Sequence, residues 1–257
     1  MLENPFFSII TVVRNGEKYI RETIESVIAQ TYRDVEYIII DANSTDSTNE
    51  IISNYRNQLA YYISEPDRNM YDGINKGLKI AKGKYILILN SDDILLNNSI
   101  LQNVYELIFS DNSKSDGYYF NIVINRNNEL IKKYLFQISF RILLYSQHCS
   151  FVPHSSLFLK NSVYNSIKGY DINYKYASDY DLILKLLKQG YQLKHFAEFT
   201  TQFREHPNSF TSNNVIESER LPIIRKYGHK KNIISFLIFV LIWTFYKISQ
   251  IHKRSFN

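Results

Sequence analysis

The feature that most constrains this chain is an apolar strand-like run that stops at two adjacent carboxylates. Residues 84–90 are apolar enough to be buried, and Asn90, Ser91, Asp92 and Asp93 close the run. Paired carboxylates at the end of a buried strand are costly unless something positive sits on them. In an open α/β sheet, that edge is where ligands bind. A divalent cation shared with a substrate diphosphate meets the demand, because hard cations take oxygen ligands from both. The same four residues also read as a solvated turn in which Asp93 caps the next helix.

The pattern repeats along the first half. Residues 5–13 read as a strand stopped by Arg14, Asn15 and Gly16, and residues 17–30 place Ile20, Ile24, Val27 and Ile28 on one helical face. A second strand at 35–40 ends on Asp41, and a polar loop at 43–48 leads into a short helix over 48–55. A third strand at 61–64 precedes a helix over 71–81, with Gly83 closing it where left-handed geometry is tolerated. Strands alternating with helices predict a parallel sheet. Three successive strand ends carry polar clusters, and together they describe a nucleotide site.

Composition narrows the class. The chain has 257 residues, enough for one α/β domain with a mixed second half. A single cysteine, Cys149, excludes a disulfide framework and suits a reducing cytoplasm, and no charged-then-apolar leader precedes the first strand. Residues 220–257 hold eight Lys or Arg and no acidic residue against a whole-chain charge of +5, so the rest is acidic by about three charges. A nucleic-acid reader places its charge on the folded surface instead. The apolar stretch at 233–246 is shorter than the roughly 20 residues of a membrane span. With basic flanks and Trp243, Phe245 and Tyr246, it suits an interfacial helix on an anionic bilayer. The alternative is packing on the folded domain or on a second subunit of a homodimer.

Residues 8–15, 22–32, 36–41, 44–48, 64–67, 71–77 and 89–93, followed by His154 and 177–182, resemble family 2 glycosyltransferases of the GT-A fold in an ordered set. The resemblance spans roughly residues 6–213 and is nearest the subgroup found in bacterial O-antigen, capsule and colanic-acid-like clusters. It departs in three places: Asn90 stands where the wider family has Asp, Arg14 where an uncharged residue is usual, and Ser178 where many relatives have Glu. The resemblance implies a Rossmann-like α/β catalytic domain over 1–219, with a nucleotide-sugar half (1–110) and an acceptor half (111–219), then a helical tail at 220–257. It also implies a UDP-sugar donor, a lipid-linked saccharide acceptor and attachment to the cytoplasmic face of the inner membrane.

Roles follow residue by residue. Thr11, Val13, Arg14, Asn15 and Asp41 would hold base and ribose, with Arg68 a further contact or simply a turn residue. Asn90, Ser91 and Asp92 would meet the nucleotide sugar. Asp92 is the first choice of ligand for Mn²⁺ or Mg²⁺, with Asp93 beside it and His206 closing from a late loop. Transfer needs a base for the acceptor hydroxyl. Asp179 fits, ahead of a helix over 180–189 whose Leu182, Leu186 and Leu187 face inward; it also reads as that helix's N-cap. Asp181 ranks second. His154 either lines the acceptor cleft or is a core histidine. Direct activation of the acceptor implies inversion at the anomeric carbon. The alternatives are a catalytically silent nucleotide-sugar-binding subunit and a nucleotidyltransferase, though Arg14, Asn15 and Gly16 are too short a turn to cradle a triphosphate.

Overall fold

The structure is a computed structural model and describes residues 4–145, 152–206 and 215–227. The apolar stretch at 233–246, and with it the expected interfacial helix, lies outside the described residues. Four strands form the parallel part of the sheet: β1 (Phe7–Val13), β2 (Val35–Asp41), β3 (Tyr61–Ser64) and β4 (Tyr85–Ile88), in the order β3-β2-β1-β4. Helices α1 (Ile20–Ile28), α2 (Thr48–Ser53) and α3 (Met70–Ile80) make the crossovers.

The second half extends the same sheet. β5 (Ile94–Leu95), α4 (Ile100–Ser110), β6 (Gly117–Arg126), β7 (Glu129–Lys133), α5 (Phe140–Tyr145), β8 (Leu157–Lys160), α6 (Asn161–Ile167), α7 (Ser178–Lys188), β9 (Leu193–Glu205) and α8 (Val215–Lys226) follow in chain order. β8 runs antiparallel between β4 and β6, and β9 lies parallel to β6 and antiparallel to β5.

The central strands are mostly apolar and buried along nearly their whole length because both faces are covered. Ile10, Ile38, Ile40, Ile86 and Ile88 pack toward α3 and the second-half helices. Their neighbours Ile9, Tyr37, Ile39, Tyr85 and Leu87 pack toward α1 and α4. On α7, Leu182 and Leu186 are buried as the periodicity predicts, but Ile183 and Leu184 are buried too and Leu187 is only half-buried. The reason is that the helix is enclosed on more than one side, with α5 and α8 adding to the sheet. The expected boundary at 219/220 falls inside α8, whose Ile223 and Ile224 belong to the core.

Gly83 corrects one expectation. The positive-φ glycines of the described chain are Gly169 and Gly190, and α3 ends at Ala81 in an extended conformation. Gly83 is needed for close approach: a Cβ there would collide with the backbone nitrogen of Ser8. Its N–H donates to Ser8 Oγ (2.8 Å) and to Glu36 Oε1 (3.0 Å). Gly83→Ala should therefore cost about 1–3 kcal/mol through overpacking against backbone that cannot retreat, measured as a lower urea midpoint with unchanged slope.

Candidate active site

The carboxyl ends of β1 and β4, the start of α3, the N-terminus of α7 and the β6–β7–β9 ribbon surround a cavity of about 710 Å³. Its size suits a small-molecule site. Val13, Arg14, Arg68, Asn90, Ser91 and Asp92 line it, as do His154, Asp179 and His206. Three of the residues predicted for base and ribose lie outside that lining. Thr11 is fully buried and bonds the Tyr37 hydroxyl (3.1 Å). Asp41 accepts from the Ser44 N–H (3.0 Å), the Ser44 hydroxyl and the Ser64 hydroxyl (2.6 Å), so it shapes the loop after β2 while Ala42 faces the cavity. Asn15, at φ 52°, accepts from the Thr45 N–H (2.9 Å), and its own N–H donates to Ser44 Oγ (2.8 Å). These bonds lock the turn after β1 to the loop after β2.

The turn after β4 separates its two carboxylates. Asp92 faces the cavity, with Oδ2 2.9 Å from His206 Nε2. Asp93 turns inward, is fully buried, and accepts from the Arg204 N–H (3.0 Å) and from Asn90 Nδ2 (2.9 Å). Burial, then the neighbouring Asp92 charge, pushes its pKa well above the ordinary carboxylate value. The structure thus brings Asp92 and His206 together as the sequence expects, but places Asp93 beneath the site as a brace for β9.

Asn90 directs its other end at His154, with Oδ1 2.7 Å from Nε2. Because the Asn90 amide N–H₂ donates to Asp93, its oxygen is the acceptor, which assigns the proton to His154 Nε2. Burial lowers the His154 pKa to about 4, so the ring is neutral. His154 lines the cavity and braces Asn90.

Asp179 sits in the first turn of α7 and is 9% exposed. Burial raises its pKa to about 7, against hydrogen bonds that favour the charged form and with a small further rise from Glu219. Its Oδ1 accepts from the Tyr180 N–H (2.8 Å) and from the Tyr71 hydroxyl (3.3 Å). Asp181 points away from the cavity, accepting from Lys226 Nζ (2.9 Å) and the Tyr227 hydroxyl (3.1 Å) of the α8 region.

Sequence reasoning missed the roles of Arg204 and Tyr71. Arg204 Nε donates to the Asp92 carbonyl (3.2 Å), one guanidinium nitrogen pairs with Glu22 (2.6 Å), and the group lies over the Tyr19 ring at 4.3 Å. Tyr19 in turn packs on His206, with ring centroids 5.5 Å apart. The signal for Arg204 was its place two residues before His206; for Tyr71 it was a buried aromatic inside the matched stretch at 71–77.

Comparison with known proteins now decides the family. A family model for glycosyl transferase family 2 matches residues 8–165. The chain belongs to that family. A glycosyltransferase of Rickettsia typhi is 30% identical over 201 residues, covering 72% of this chain and 59% of its own length. This chain therefore spans about three fifths of that relative. A PGL/p-HBAD biosynthesis glycosyltransferase of Mycobacterium bovis is 23% identical, covering 87% of each chain. Among solved structures, S. aureus TarS 1-349 in complex with UDP-GlcNAc superposes with a TM-score of 0.71 at 20% identity, over 86% of this chain and 65% of the other. The mannosyltransferase PcManGT of Pyrobaculum calidifontis, in complex with GDP-Man and Mn²⁺, superposes at 0.66 and 16%, over 92% and 68%. The fold is GT-A.

The donor set fits a hard divalent cation. Among the described residues no group of three or more His, Cys, Asp or Glu surrounds a common point. One carboxylate and one imidazole do face each other, and Mg²⁺-type ions often take only one or two protein carboxylates and complete their shell with phosphate and water.

The raised Asp179 pKa has a consequence for stability. The native chain holds a proton that the unfolded chain releases near 3.8, so the contribution is full below about pH 4 and is lost as pH rises through about 7. Asp179→Asn removes that titration. Its melting temperature should gain on the parent between pH 4 and 7 and hold the gain above, as followed by thermal melts across pH. A constant difference across that range would contradict the buried-acid assignment.

Proposed function

We propose that the protein is an inverting glycosyltransferase that moves a hexose-type sugar from a nucleotide sugar, with a UDP-sugar favoured, to a lipid-linked oligosaccharide. The observation that carries this is the pairing, in one cavity, of a carboxylate–imidazole couple with a buried carboxyl near neutral pKa. Asp92 and His206 would hold Mn²⁺ or Mg²⁺ together with the donor diphosphate, and the bound ion would offset the charge of the leaving group. Arg14 and Arg68 line the same cavity and add cationic character for that diphosphate.

Asp179 supplies the base. As the acceptor oxygen bonds to the anomeric carbon, the bond from that carbon to the phosphate oxygen breaks, the acceptor proton passes to the Asp179 carboxylate, and the nucleoside diphosphate departs. A pKa near 7 suits this task, since about half of the molecules carry the charged carboxylate near pH 7 and that carboxylate is basic enough to take the proton. Tyr71 and the Tyr180 N–H hold Oδ1, which leaves Oδ2 for the acceptor hydroxyl. Ile122, Ile124 and Phe203 of the β6–β9 wall, with Lys133 and Lys175, would receive the acceptor.

Membrane attachment through the basic tail, on the cytoplasmic side, and a place in O-antigen or capsule assembly belong to the same reading. They rest on the tail's composition and on the sequence resemblance. The discriminating assay is metal-dependent release of nucleoside diphosphate from a panel of UDP- and GDP-sugars, with and without membrane extract. Mn²⁺-dependent donor binding without release would leave only a silent binding subunit, and neither binding nor release would overturn both readings.

Two outcomes follow. Asp92→Asn should abolish Mn²⁺-dependent donor binding and lower turnover by a factor on the order of 10² or more, whereas Asp93→Asn should act mainly through stability, because its carboxyl braces β9. Titration calorimetry with UDP-sugar and Mn²⁺ separates the two; the reverse ranking would place the ion on Asp93. Turnover should also climb as pH rises through about 7, following deprotonation of Asp179, and lose that limb in Asp179→Asn together with roughly 10² or more in kcat.

A further inference from the structure

The N-terminus of α7 lacks a cap of its own. Its N-cap residue is Ala177, which has no side-chain acceptor. The exposed N–H groups there need partners, and a helix N-terminus favours a negative charge. A carboxylate 42 residues downstream, on α8, supplies the negative charge and accepts the N-cap N–H and the two N–H groups before it. Glu219 accepts the N–H of Lys175 through Oε1 (2.8 Å) and the N–H groups of Tyr176 (2.8 Å) and Ala177 (2.9 Å) through Oε2. One carboxylate thus gathers three consecutive backbone donors. The carbonyl of the middle residue, Tyr176, accepts from the Tyr71 hydroxyl at 3.1 Å, and that same hydroxyl lies 3.3 Å from Asp179 Oδ1. The peptide that leads into Asp179 is therefore held on its N–H side by α8 and on its C=O side by α3.

Position gives this contact its meaning. Lys175, Tyr176 and Asp179 line the cavity, and Glu219 itself does not. Glu219 also lies beyond the residues matched by the family model, which end at 165. Ordinary caps come from the residue that starts the helix. Here the acceptor comes from a distant element, so the aim of the Asp179 side chain depends on the docking of α8. That docking is firm: Ile223 and Ile224 are buried in the core, and Lys226 bonds Asp181 one turn along α7.

We propose that Glu219 is a positioning residue for the transfer reaction, fixing the three-residue segment 175–177 so that Asp179 meets the acceptor hydroxyl. The inference rests on the assignment of Asp179 as the base, and a double-mutant cycle separates the two. Turnover is followed as UDP release from UDP-GlcNAc with Mn²⁺ and membrane extract, or with whichever donor the panel selects. Glu219→Ala should lower kcat by roughly 10-fold or more while the donor Kd stays within about twofold, because a displaced catalytic group loses reaction rate without losing ligand contacts. Glu219→Gln keeps one acceptor oxygen and should fall between Glu219→Ala and the parent. In the Asp179→Asn background, Glu219→Ala should have no further effect, since residues acting as a unit are not additive.

A second measurement does not depend on turnover. The groups facing Asp179 are Tyr71 and Tyr170 from the α3 side and Glu219 from α8. Removing the Glu219 charge should move the Asp179 carboxyl titration, read by carbon-13 NMR of aspartate-labelled protein, from about 7 to lower pH. Leu221→Ala, an exposed change on the same helix, controls for loosening of α8 and should leave both readings at parental values. Parental kcat in Glu219→Ala, an unmoved titration in Glu219→Gln, or an equal loss from Glu219→Ala in the Asp179→Asn background would each overturn the role. Parental turnover in Asp179→Asn alone would remove the base assignment itself, and Glu219 would lose its proposed target.

Discussion

The buried carboxyl of Asp93 is the joint on which the site depends. It accepts the Arg204 N–H from β9 and the Asn90 amide from its own turn, and so ties the end of β4 to a strand more than a hundred residues later. With that joint made, Arg204 reaches the Asp92 carbonyl and Glu22, and His206 arrives beside Asp92. Removing a partner from a buried polar group leaves an unsatisfied, desolvated acceptor behind, so the joint is strong because its failure is expensive. The adjacent Asp92 can then remain at the cavity surface, because the neighbour that would compete for the same space is held inside.

Asp179 shows the opposite use of burial. Desolvation is unfavourable for its charged form and yet brings its pKa to about 7, where a base is effective. The surrounding frame offsets that strain with backbone and hydroxyl donors from Tyr180 and Tyr71, while Glu219 secures the approach from α8. In the proposed role as base, Asp179 sets a like charge and a dry environment against stability, which is the usual arrangement at catalytic groups.

Much of the frame was legible in the sequence. Strand β3 lies where its period predicted, and α1, α2, α3 and α7 shift by a few residues at their ends, where caps and packing decide. The polar clusters at the ends of β1, β2 and β4 do share one edge of the sheet. Their division of labour was not legible. Asp41 and Asn15 both hydrogen-bond the loop after β2 and Thr11 bonds Tyr37, so they shape the wall without lining it. Asp181 has the right residue type about half a turn from the right place, since two positions along a helix rotate a side chain by about 200°, and it meets Lys226 instead.

What the sequence determined by itself were the local quantities. Apolar period, chain-breaking turns and carboxylates at strand ends act over a few residues, and they sufficed for a parallel α/β sheet with a polar edge. Tertiary structure alone decided which of two neighbouring aspartates faces the cavity, which histidine braces Asn90, and which glutamate caps α7. Each of those contacts joins residues at least 42 positions apart, as Glu219 with Ala177 and His206 with Asp92 illustrate. Such pairs are set by how β9 and α8 pack onto the finished sheet, and packing over that separation leaves no periodic trace in the chain.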